Sequence, residues 1–99
     1  MKPIGYYVSS AQNPDSNIIQ SVEQRFGSYL QNLTADDKAA VQVCLIESAI
    51  CPQQVLIEPN FFTSENAGEF WEMVEQLSPD NQLALSVAIA NFLLHGGQG

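Results

Sequence analysis

The sequence predicts an all-α protein, a four-helix unit of two tandem αα-hairpins related by a pseudo-twofold axis. Three observations lead there. Apolar residues recur at spacings of three and four through most of the chain, and Ser, Thr and Asp stand where helices would begin. The stretch LTADDKAAVQVCLIESAI, Leu33 to Ile50, is echoed 44 residues later by LSPDNQLALSVAIANFLL, Leu77 to Leu94. Leu33 pairs with Leu77, Thr34 with Ser78, Asp36 with Asp80, Ala40 with Ala84, Val43 with Val87 and, upstream, Phe26 with Phe70. One hairpin cannot bury its own apolar face, whereas two can cover each other, so the echo reads as a repeated helix pair.

Residues 1–12, MKPIGYYVSSAQ, follow no clean period and read as an extended N-terminal arm, with Tyr6 and Tyr7 as docking points. A single domain over residues 13–95 follows. Pro14 suits a first helical turn, and Ile18, Ile19, Val22, Phe26, Leu30 and Leu33 continue the period, which predicts a first helix over 15–32. Thr34 is a good N-cap with Asp36 and Asp37 in the first turn behind it, and Cys51-Pro52 ends this second helix near Ile50. Residues 52–62, PQQVLIEPNFF, read as a loop or short extended piece that packs Val55, Leu56 and Ile57 on the body. Thr63 or Ser64 caps a third helix over 65–77; Ser78-Pro79-Asp80 starts a fourth, which Gly96-Gly97 ends. Residues 96–99 read as a flexible tail. Within these elements there is no linker and no second domain.

Ninety-nine residues with 45% apolar content support one modest core. The formal net charge is −8, and no cation follows Lys38. Nucleic acid and anionic lipid are therefore excluded as partners, because binding them would stack like charges. The start of the chain lacks the apolar run of a signal peptide, and the apolar stretch near its end is too short to span a bilayer. The expectation is a soluble cytoplasmic protein. Cys44 and Cys51 are seven residues apart, roughly 10 Å of rise on one helix and too far for a disulfide. They read as structural thiols. With His95 as the lone histidine, zinc lacks ligands, and the acids Asp36, Asp37 and Asp80 are explained as helix-start residues in the absence of a calcium loop. No metal is expected. Nothing resembles a nucleophile with its base or a pair of converging catalytic carboxylates, so an enzyme is the least expected class.

Periodicity singles out a candidate binding face. At about 100° per residue, Leu85, Ile89, Phe92 and Leu93 fall on one side of the fourth helix, while Leu83, Val87, Ala90 and Leu94 fall on the other. In the second helix Val41 and Leu45 oppose Ala39, Val43, Ile46 and Ile50. A helix apolar all round must be covered all round. The outer helices can cover only part of both, leaving the N-terminal arm, the Val55-Leu56-Ile57 loop, a second subunit or an apolar ligand to close the rest. The third helix differs: Glu65, Glu69 and Glu72 form a stripe opposite Phe70, Met73, Val74 and Leu77, with Trp71 at the border. That stripe reads as a solvated face, or, with Trp71 as anchor, as an acidic and aromatic docking patch for a basic protein, although a border Trp is more often part of a small core.

LTADDKAAVQV, then Glu58-Pro59, Asn66-Ala67, Ser78-Pro79-Asp80-Asn81-Gln82 and Ala90-Asn91 in collinear order, resemble the first four-helix half of the N-terminal, carotenoid-binding domain of the orange carotenoid protein family. The likeness covers roughly residues 30–91. It implies an all-α unit of the cyanobacterial photoprotective apparatus, a family whose full domain holds a keto-carotenoid between two such halves and docks on the phycobilisome. The family's aromatic carotenoid contacts on the second helix fall on Val43 and Ile46 here. A polyene gains much of its hold from stacked rings, so the expectation is a non-catalytic module that binds protein through the apolar seam and carries no cofactor. The expected partners are a phycobilisome component or a second copy in a homodimer. A carotenoid-binding half-domain acting as a dimer is the alternative for the seam, and an acidic adaptor for a basic surface is the alternative for the stripe.

Overall fold

The computed structural model of the chain describes residues 2–8, 15–51, 62 and 64–95. Among these there are five helices and no strand: α1 Ile4–Tyr7, α2 Asp15–Phe26, α3 Ala35–Ile50, α4 Glu65–Val74 and α5 Pro79–His95. The all-α expectation holds at that level. The 52–62 segment apart from Phe62, the alternative cap Thr63 and the 96–99 tail lie outside the described residues.

Helix starts follow local chemistry. Thr34 caps α3 through a capping box: its hydroxyl accepts from the Asp37 N–H at 3.1 Å, and the Asp37 carboxylate accepts from the Thr34 N–H at 3.4 Å. Ser64 caps α4 by accepting from the Ala67 N–H at 3.1 Å. Helix ends depart from the periodicity. The helix expected over 15–32 stops at Phe26, because Gly27 takes φ of +96° and turns the chain out of the helical path. Leu30 follows at φ 54°, an unusual left-handed conformation for a branched residue, and its side chain is fully buried. The helix expected over 65–77 closes three residues early, at Val74.

The N-terminal segment also differs from the extended arm. Residues 4–7 form one helical turn, whose Ile4 N–H donates to the Ser28 carbonyl at 2.8 Å. Ile4 and Val8 are buried, and Tyr7 sets its edge against Phe92 of α5 with centroids 6.5 Å apart. Apolar burial anchors this turn, since four residues are too few to hold a helix by their own hydrogen bonds.

The closest helix packing runs between the two halves of the chain: α3 lies against α5, α2 against α4, and α3 also meets α4. The core between them is filled by Val22, Phe26, Leu30, Val41, Leu45, Phe70, Val74, Leu85, Ile89 and Phe92. The molecule measures 35 × 32 × 20 Å. Its short dimension is about two helix diameters, so among the described residues α3 and α5 have a core side and an outer side with no further helix layer beyond it.

Candidate functional site: an apolar face on α3 and α5

Two aromatic and polar contacts between the halves set how α3 and α5 lie. Phe26 and Phe70, which the 44-residue echo pairs, stack at 5.6 Å with rings tilted by 58°. Where α3 crosses α5, the Gln42 side-chain amide donates to the Ser86 carbonyl at 3.0 Å. Counting about 100° per residue from that contact, Val41 and Leu45 turn to one side of α3, and Leu85 and Ile89 turn to the same side of α5. All four are fully buried. Val43, Ile46 and Ile50 on α3, and Leu83, Val87 and Leu94 on α5, then fall on the opposite side.

The structure exposes those six. Their fractional exposures run from 37% at Ile46 to 72% at Leu94. Apart from Tyr6 and Tyr29, they are the large apolar side chains exposed among the described residues. The remaining two of the eight seam positions, Ala39 and Ala90, are half-buried. Because the core lies on one side of both helices, the two rows share the other side and flank the Gln42–Ser86 crossing.

Exposed Asp36, Glu47 and Asp80 border the rows, whereas two neutral polar groups beside them bond to their own helix. The Ser86 hydroxyl donates to the Leu83 carbonyl at 2.6 Å, and the Asn91 amide donates to the Val87 carbonyl at 3.0 Å, so both bond back onto their own helix. None of the eight seam residues is charged. Glu47, exposed between Ile46 and Ile50, is the carboxylate nearest the row in sequence on α3. Cys44, on the core side, is buried; burial, then the charge of Glu47, push its thiol up to about 11, so it is an inert packing group. Cys51 is exposed at the end of α3.

The α4 stripe does not assemble as a docking patch. Glu65, Glu69 and Glu72 are exposed, but Trp71 is only 7% exposed and belongs to the core with Phe70 and Val74. Trp71 at the helix border is drawn into the core formed where α4 packs against α2 and α3. Glu69 is occupied too, pairing with Arg25 of α2 at 2.6 Å. An acidic face without its aromatic anchor has no basis for specific docking beyond charge.

Sequence reasoning missed a polar cluster between the starts of α2 and α5. The Asp15 carboxylate accepts from the Ser78 hydroxyl at 2.8 Å and from the Asn81 amide at 2.6 Å. Burial alone would raise the Asp15 pKa, but these bonds and that of the Ser78 N–H outweigh it and hold the carboxyl below its ordinary value. Across the molecule the Ser64 hydroxyl donates to Asp37 at 2.7 Å. These polar residues join helix starts; among the described residues no group of three or more His, Cys, Asp or Glu side chains could hold a metal ion. Lys38 is buried along its stem, and burial lowers its pKa. No helix among the described residues is long and apolar enough to cross a membrane. No family model, curated protein or solved structure matches the chain.

Proposed function

We propose that the chain is a non-catalytic interaction module that binds a protein partner through the apolar face of α3 and α5. The observation that carries this reading is the pair of exposed rows, Val43, Ile46 and Ile50 with Leu83, Val87 and Leu94, on the side of the two most apolar helices away from the core. Contiguous apolar surface of this kind on a small protein marks a binding site more often than a solvated one. The setting, the photoprotective apparatus of cyanobacteria with a phycobilisome component as partner, rests on the resemblance of residues 30–91. A carotenoid is the second occupant of the same face, since the rows are apolar and uncharged. Val43 and Ile46 offer it no aromatic ring.

The two halves are proposed to be related by a pseudo-twofold axis. Residues 44 apart touch one another at Arg25–Glu69, Phe26–Phe70 and Gln42–Ser86, as residues beside such an axis must. The helix-start contacts correspond in one member only. Asp37 of α3 binds Ser64 before α4, and its counterpart Asn81 of α5 binds Asp15 at the head of α2.

The test is co-sedimentation of the purified chain with isolated phycobilisomes, beside Val43→Glu and Val87→Glu. Binding that is lost in both variants supports the reading. Absence of binding by the unmodified chain removes the setting. A shifted visible absorption band after expression in a carotenoid-producing host replaces the protein partner with the pigment.

A further inference from the structure

We infer that the partner of the α3–α5 face is an amphipathic helix with an apolar stripe bordered by Lys or Arg, which rests on the reading of that face as a protein-binding surface. The charged surroundings of the rows carry the inference. Counting about 100° per residue, the row on α3 lies between Gln42, which meets α5, and an outer edge formed by Asp36 and Glu47. The row on α5 lies in the same way between Ser86 and an outer edge formed by Asp80. Both apolar rows therefore sit inside acidic borders, and all three acids are exposed.

The chain's own cations do not meet these carboxylates. Arg25 pairs with Glu69, Lys38 is buried on the core side of α3, and Lys2 lies over the ring of Tyr6. Among the described residues no hydrogen bond or ion pair engages the side chain of Asp36, Glu47 or Asp80. Two of the three have a local reason for their place, since Asp36 and Asp80 stand in first helical turns, where the helix dipole favours negative charge. Glu47 has no such reason. It stands in the last turn of α3, where the dipole disfavours a carboxylate, and its charge helps to raise the Cys44 thiol. A charge that costs its own helix and meets no cation within the chain is placed for a cation brought from outside.

Charge complementarity selects the occupant. A second copy would set carboxylates against carboxylates, and a carotenoid would leave all three unanswered. A basic amphipathic helix answers both parts of the surface. Val43 to Ile50 spans about 10 Å along α3 and Leu83 to Leu94 about 16 Å along α5, roughly two to three helical turns. A helix of that length offers apolar residues at i, i+3, i+4 and i+7 to the rows. Its flanking Lys or Arg side chains then reach Asp36 and Glu47 at one edge and Asp80 at the other, and the net charge of −8 steers it in from solution.

The probe is a synthetic helical peptide of about 14 residues, roughly four turns, with Leu at that spacing and Lys elsewhere, beside an isomer carrying Glu in place of every Lys. Each is titrated calorimetrically against the full chain. The Lys peptide is expected to bind, about tenfold more weakly in about 0.5 M than in about 0.05 M NaCl, and the Glu peptide is expected not to bind. Asp36→Asn, Glu47→Gln and Asp80→Asn together should weaken binding about tenfold with the helical circular dichroism spectrum kept, as three exposed ion pairs allow. Glu47→Gln alone, away from the helix starts, should act in the same direction, and so should Val43→Asn with Val87→Asn. Glu65→Gln, Glu72→Gln and Glu75→Gln, which remove the same charge from exposed positions off the face, should leave binding unchanged. Failure of the Lys peptide to bind, equal binding of the Glu isomer, or an equal loss in the Glu65, Glu72 and Glu75 variant overturns the inference, the last because binding then follows net charge. A dimer in sedimentation equilibrium that Val43→Asn dissociates also overturns it, giving the face to a second copy. If the peptide fails while the chain still binds phycobilisomes through Val43 and Val87, the protein-binding face stands and only the basic helix falls.

Discussion

The two turns that join the helices of each half differ more than anything else in the repeat. The turn from α2 to α3 takes residues 27–34, and that from α4 to α5 only residues 75–78. One position accounts for most of this. Gly27 stands where the second half has Trp71, 44 residues on. The glycine leaves the helix at φ +96°, whereas the tryptophan stays helical and fills the core. The two turns are consequently held from different sides. In the first, the N-terminal turn closes on Ser28, and Tyr29 sets its edge on Phe92 with centroids 6.1 Å apart. In the second, the Gln82 side chain of α5 reaches back to the Glu75 carbonyl at 3.2 Å. A repeat can thus preserve the contacts across its halves, such as Phe26–Phe70, while a single residue changes the length of a helix and the means of closing it.

The largest expected effect tests the preserved part. Phe26→Ala and Phe70→Ala should each cost about 3–5 kcal/mol in urea unfolding, because both rings are fully buried. The double variant should fall short of additivity, since the rings contact each other. Strictly additive losses, or a loss at one site only, would break the equivalence of the two halves.

The divergent part is tested by a pair of glycines with opposite signs. Gly27→Ala should destabilise by about 1–2 kcal/mol, because an L side chain resists φ +96° and its Cβ would run into the side chain of Gln31. Gly68, inside α4 with open space around its Cβ, should give the reverse: Gly68→Ala should stabilise by about 0.4–1 kcal/mol. Equal signs at both positions would mean that Gly27 does not set the end of α2.

The smallest effect concerns the polar contacts at the helix starts. Asp15 has a folded-state pKa below the ordinary 3.8, so its contribution to stability is present above that value and is lost as pH falls through the lowered one. Asp15→Asn should therefore be less stable than the unmodified chain at neutral pH, by below about 1 kcal/mol for a partly exposed group. The gap should close on acidification below pH 3.8. A gap that stays constant between pH 6 and pH 2 would assign the effect to packing and not to the carboxylate.

What the sequence by itself determined were the features written locally. Thr34 and Ser64 cap helices because an N-cap needs only a side-chain oxygen and a backbone two or three residues away. The surplus faces of α3 and α5 were legible because a period of 3.6 residues states which positions share a side, and a helix apolar on both sides states that one side is left over. Tertiary structure decided the rest. The end of α2 depends on a backbone angle at Gly27 to which hydrophobic spacing is blind, since Leu30 and Leu33 stay buried whether or not the helix continues. Trp71 could face water or core on spacing alone, and the packing of α4 into the core turned it inward. The partners of Asp15 are 63 and 66 residues away, a distance over which only the folded chain brings a carboxylate and its donors together.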